Sequence, residues 1–169
     1  MSISQGTKTV LFIRVNFADD PTESITEAQA KQAMAEVNAF FTTASYNSTA
    51  LITTFAPLVT LPQTKAWYSM AGQYVLQADA QSAVRAAGYD FSNFNFDIIH
   101  QLDLGFAPGY AGVGESPRSA WAWGTDARLI AALLGFNYGL GNADFWNTVR
   151  PRYPAFASEP PQWPIDYPG

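Results

Sequence analysis

The sequence holds no cysteine, which removes disulfides, iron–sulfur clusters, thiol nucleophiles and Cys-ligated zinc in one step. Histidine is nearly as scarce. His100 is the only one, so a three-histidine metal site cannot be built, and a Ser–His pair has a single imidazole to draw on. Charge is also sparse: 14% of residues are charged, with 9 Lys plus Arg against 14 Asp plus Glu, a formal net charge of −5. No basic field is available for a polyanion, which argues against nucleic acid as a partner. No uninterrupted apolar run approaches the roughly eighteen residues of a bilayer span, so no membrane partner is expected. Met1-Ser2-Ile3-Ser4-Gln5 has neither the charged nor the apolar stretch of a signal peptide. Asn47-Ser48-Thr49 has the form of a glycosylation sequon, which by itself says little about secretion.

What is present is apolar. The 169 residues are 48% hydrophobic and 15% aromatic, enough for one domain with a full core over 1–169, expected to be monomeric, and too apolar for wholesale disorder. Val10 to Phe17 is a β-branched, apolar run that stops at Ala18-Asp19-Asp20-Pro21, which predicts a buried strand and a turn. Ser24-Ile25-Thr26-Glu27 has capping-box spacing, so a helix is expected to open at Ser24 with Met34, Val37, Phe40 and Phe41 on its buried face. Ser45 to Asn47 reads as a turn and Ala50 to Leu58 as a strand ending near Pro57. Leu61 to Gly72 reads as an ordered loop. Tyr74 to Ala87 fits a helix with Leu76, Ala80 and Val84 inward and Gly88 as its stop.

Phe94 to Leu104 alternates as a strand, with Phe96, Ile98, His100 and Leu102 on one face and Asp97, Ile99, Gln101 and Asp103 on the other. Gly105 to Gly124, carrying Gly109, Gly112 and Gly114 with Pro108 and Pro117, reads as a long loop, and loops of that length are more often functional than idle. Thr125 is placed to cap a third helix whose body, Leu129 to Phe136, is apolar around its circumference and so expected at the centre of the core. A Pro-rich irregular tail follows from about residue 150. Strand–helix–strand followed by a buried helix predicts an α+β domain, a twisted mixed sheet packed on helices.

The stretch Ala132-Leu133-Leu134-Gly135-Phe136-Asn137-Tyr138-Gly139-Leu140-Gly141-Asn142-Ala143 resembles the active-site helix of the gametolysin-like and immune-inhibitor-A-like zinc metallopeptidases, whose pattern is H-E-x-x-H-x-x-G-x-x-H. Leu134-Gly135, Asn137-Tyr138-Gly139-Leu140-Gly141 and Ala143 stand where the family commonly has L-G, N-x-G-L and A. Val10 to Asp19 is similar to the family's first strand, and Ser45-Tyr46 and the glycine loop ending at Trp121 also fit. The resemblance implies a zincin-like fold and a secreted ancestor. It covers the frame of the motif and not its chemistry. Ala132, Phe136 and Asn142 occupy the three histidine positions, and Leu133 the glutamate position. Two imidazoles at i and i+4 share a helix face and grip one zinc, while the glutamate acts as base for its water. Ala, Leu and Phe can do neither, so zinc hydrolysis by the family mechanism is excluded, and no cofactor is expected.

Losing all four functional side chains while the glycines survive is unlike decay. The replacements are mostly apolar and of filling size, which spares the cost of a vacated metal site with stranded polar groups. This pattern reads as an engineered, metal-free scaffold, with a natural pseudo-metallopeptidase as the alternative. The last residues, Asp166-Tyr167-Pro168-Gly169, fall about where the family continues towards its methionine-bearing turn, which reads as truncation or rebuilding.

Trp121, Trp123, Phe136, Tyr138, Phe145 and Trp146 cluster in sequence around this helix. With Ala132, Leu133 and Asn142 they are expected to line an apolar cleft for a small molecule or an extended peptide; the plainer alternative is that they are core. His100 is the only imidazole for a catalytic role in that cleft, as in a designed hydrolase or proton-transfer enzyme, against the plainer reading of a strand histidine with a satisfied ring. Ser116 and Ser119 lack a G-x-S-x-G elbow. Glu115 and Asp144 read as loop carboxylates and Lys65 as a snorkelling surface lysine. The glycines at 109, 112 and 114 do not have dinucleotide-binding spacing.

Overall fold

The computed structural model describes residues 5–112 and 118–140. Strand β1 (Gly6–Phe17) is the organising element, and from Val10 onward all its residues are buried. A strand can be apolar on both faces only where both faces are covered, and that is what surrounds it. Val10 and Phe12 enter one core cluster, while Leu11, Ile13, Val15 and Phe17 enter a second. Helix α1 (Glu27–Ala44) leads to β2 (Thr49–Phe55), parallel to the first part of β1, and β3 (Val59–Leu61) continues alongside its last three residues. Helices α2 (Lys65–Ala71) and α3 (Gln73–Ala86) then cross to β4 (Phe96–His100), parallel to β1 on its other side. Strand β5 (Gly109–Ala111) runs antiparallel to β6 (Arg118–Ala122), and α4 (Ala127–Asn137) follows.

The sheet order is β2-β1-β4-β6-β5, with β3 beside β1. It is a mixed sheet, parallel except for the short β5 at its edge. Helices α1 and α4 close one face around Met34, Val37, Phe41, Ile130 and Leu134, and α2 and α3 close the other around Tyr68, Leu76, Ala80 and Val84. The described residues therefore form an α and β domain with four α-helices and one mixed sheet.

Several boundaries differ from the sequence expectation, each for a local reason. The capping box of α1 uses Thr26 and Gln29, not Ser24 and Glu27, because the Ser24 hydroxyl is turned inward to His100. Asp126, not Thr125, caps α4 by accepting from the Arg128 N–H. The expected loop from Leu61 to Gly72 begins with the end of β3 and contains α2, whose N-cap Thr64 accepts from the Trp67 N–H. The long glycine loop contains β5 and the wholly buried β6, a strand too short for alternation to reveal. Strand β4 ends at His100 rather than Leu104. Phe40, expected inward, is 56% exposed because Phe41 takes the core-facing position.

Helix α4 is not apolar-walled on all sides. It lies beside α1 in an outer layer, with Ile130, Leu133, Leu134 and Asn137 buried and Ala132 exposed to the outside.

Candidate functional site

The outer surfaces of α1 and α4 leave a groove of about 460 Å³ between them. Val37, Phe40 and Phe41 form its α1 wall, and Ala131, Ala132, Gly135 and Phe136 form its α4 floor, with Leu140 beyond. The space exists because α4 presents small residues here, where larger side chains would meet α1. Phe40 and Leu140, at 56% and 57% exposure, are apolar side chains with little to bury them. The charged residues in its lining are two, Glu36 on α1 and Arg128 on α4. Phe136 is held by the neighbouring edge strand: its ring stacks on Tyr110 of β5, centroids 4.9 Å apart and planes 17° from parallel.

Ala132 and Phe136, one helical turn apart, thus face one groove, as i and i+4 positions must. Asn142, Phe145, Trp146, Asp144, Glu115 and Ser116 lie outside the described residues. The other residues expected in the cleft are elsewhere. Leu133 is 5% exposed, in the core under α4. Tyr138 is buried between Phe41 and Phe96, at 5.2 and 4.9 Å, and burial pushes its phenol up to about 12. Trp121 belongs to the opposite face of the sheet, where its indole N–H donates to the Ala107 carbonyl (3.2 Å) and its ring meets the edge of Tyr74. A Cβ on Gly109 would lie 2.5 Å from that ring, so glycine in β5 is a condition of the indole's position. Trp123 is half-buried just after β6. The aromatic cluster visible in sequence is therefore divided by the sheet.

His100 is fully buried at the end of β4. Its Nε2 lies 2.6 Å from the Gly124 carbonyl and its Nδ1 2.8 Å from the Ser24 hydroxyl, with the Phe12 ring stacked on it at 5.8 Å. A carbonyl can only accept, so Nε2 carries the proton, Nδ1 presents its lone pair, and Ser24 donates into it. Burial holds the imidazole below its ordinary pKa and therefore neutral. On the neighbouring strand, in register with His100, stands Arg14. Its side chain is buried, and it reaches Glu23 (3.4 Å) and Glu27 (3.3 Å).

Two polar groupings were not singled out from the sequence. Beneath α3, Gln81 donates to Asp97 (2.7 Å), and Gln77 and Gln81 both donate to the Ser119 hydroxyl (2.8 and 3.1 Å). Burial pushes the Asp97 carboxyl up to about 6. The alternation of β4 had placed Asp97 on a separate face, but not one covered by a helix. Asn137 is the second: its buried amide donates to the carbonyls of Ala111 (3.2 Å), Gly112 (2.9 Å) and Ser119 (3.3 Å), tying the end of α4 to β5 and β6. An amide in an apolar helix was its only signal. Lys65 pairs with Asp20 at 3.3 Å.

Among the described residues no group of three or more His, Cys, Asp or Glu side chains is placed to hold a metal ion, and no helix is long and apolar enough to cross a membrane. No family model matches the chain, and no curated protein matches it.

Proposed function

We propose that this chain is a metal-free, non-proteolytic binding module on a zincin-like frame, and that its α1–α4 groove takes a small apolar molecule. The groove itself carries the reading: about 460 Å³ is the size of a small-ligand pocket, and its lining is apolar apart from the two charged residues. The zincin-like frame is supported by the resemblance, by the mixed sheet packed on helices, and by Ala132 and Phe136 sharing the groove. Apolar side chains at these positions fit a site rebuilt to dispense with a metal. Covering Phe40 and Leu140 would contribute on the order of 1–2 kcal/mol each to ligand affinity.

Titration with a fluorescent naphthalene derivative tests this. Ala132→Phe fills the groove from an exposed position and should weaken binding about tenfold, near 1.4 kcal/mol, with no change in melting temperature. Equal affinity in Ala132→Phe and in the parent chain would refute the assignment. Probe displacement by extended peptides, but not by small aromatics, would assign the groove to a peptide instead.

A further inference from the structure

We propose that Ser24, His100 and the Gly124 carbonyl form an acyl-transfer site for small uncharged carboxylic esters, separate from the α1–α4 groove and independent of its ligand. Three observations converge on it. The hydroxyl of half-buried Ser24 donates to the unprotonated nitrogen of His100 across 2.8 Å, the relation of nucleophile to general base. Gly124 O, 2.6 Å from Nε2, fixes tautomer and ring orientation, the part a carboxylate plays in a Ser–His–Asp triad. Arg14, directly across the ladder from His100, has a buried Nε–H with no hydrogen-bond partner among the described residues. An unpartnered donor of this kind is what a developing oxyanion requires.

The position in the fold is the third argument's complement. From β1 the chain goes to β2 on one side and later to β4 on the other, so the strand order reverses between β1 and β4. Ligands of open, largely parallel sheets bind at the carboxyl ends of the strands flanking such a reversal. His100 is the last residue of β4, and Arg14 is its register partner, three residues before β1 ends. Ser24 lies on the connection from β1 to α1 and Gly124 on that from β6 to α4. Glu23 and Glu27 at the approach are paired with Arg14 and Lys31, so two carboxylates meet two cations and the rim carries no net charge, which fits an uncharged ester.

In the first step Ser24 Oγ bonds to the ester carbonyl carbon and its proton passes to His100 Nδ1, while Nε2–H stays on Gly124 O. Arg14 Nε–H, unpartnered on the adjoining strand, is the donor from which the oxyanion would accept. Collapse breaks the carbon–alkoxide bond, and the leaving oxygen takes the proton from Nδ1. Water then attacks acyl-Ser24, giving a proton to Nδ1, and the acid departs as Ser24 Oγ recovers that proton.

A fluorophosphonate probe applied to the full chain, followed by peptide mass mapping, should label Ser24. Phenyl acetate hydrolysis should fall about 100-fold in Ser24→Ala, a typical loss for a nucleophile–base pair. An unlabelled chain with its native circular dichroism, label on another residue, or hydrolysis undiminished in folded Ser24→Ala would each overturn the proposal. Labelling needs no variant, so it decides the matter even if Ser24→Ala fails to fold.

Discussion

The groove between α1 and α4 and the cluster around His100 share one face of the sheet and are built on opposite terms. The groove is open, apolar and held by ring stacking, with two charged residues in its lining. The His100 cluster is polar and bonded within itself: its imidazole is held at both nitrogens, and Ser24 at its edge is half-buried. The exposed side chains of the groove, Phe40 and Leu140, contribute little to the fold and are available to a ligand. Those of the His100 cluster hold the fold together, and whatever chemistry they perform comes on top of that duty. The two regions should therefore respond oppositely to substitution.

His100→Ala is the hardest test of the contrast. It strands the Gly124 carbonyl, frees Ser24 and leaves a cavity against Phe12. A cost of about 4 kcal/mol follows from cavity and unpaired polar groups together, measurable by urea denaturation. A loss below about 1 kcal/mol would mean that the ring is not structural.

Asn137→Ala comes next, at about 3 kcal/mol, since the carbonyls of Ala111, Gly112 and Ser119 lose their shared donor. It also joins the two regions. With β5 released, Tyr110 no longer holds Phe136, so ligand affinity should fall along with stability. Stability lost with affinity unchanged would show that the groove does not depend on the edge strand.

Asp97 offers a reversal of sign. Burial raises its carboxyl from an ordinary 3.8 to about 6, so the folded state favours the protonated form. The stability this group contributes is full below about pH 4 and is lost as pH rises through 6. Asp97→Asn removes the charge and should stabilise the chain by about 2 kcal/mol at pH 8, with the advantage vanishing near pH 4. Denaturation curves at the two pH values check it, and an equal difference at both would mean that the carboxyl is not the cause.

How much of this was legible in the sequence depends on length and on partners. Strand β1 and helix α3 were evident because long apolar runs and helical spacing report burial directly. Strands β5 and β6 were hidden because three and five residues between glycines and prolines carry too few alternations. The pairing of Ala132 with Phe136 came from the resemblance, in which the i and i+4 positions share a helix face. The opposite half of the groove did not, because sequence does not say that α1 lies against α4, and Phe40 was assigned to the core for that reason. Trp121 failed the other way: closeness in sequence to α4 hid the sheet between them. Ser24 was read as a helix cap because local spacing favoured it, while its actual acceptor is 76 residues away.

The smallest effect sharpens the comparison most. Phe40 projects from α1 with more than half its surface in solvent, and its ring touches Phe41 edge-on at 5.5 Å. Replacing it by serine removes apolar surface that folding leaves mostly exposed, so stability should shift by no more than about 0.5 kcal/mol. Affinity for the naphthalene probe should nonetheless drop about tenfold, because the same ring is what a ligand would cover. Thermal melting and probe titration on Phe40→Ser measure both quantities in one sample. If stability fell by several kcal/mol while binding held, Phe40 would be a fold residue, and the distinction between an open groove and an internally bonded polar cluster would collapse at its clearest point.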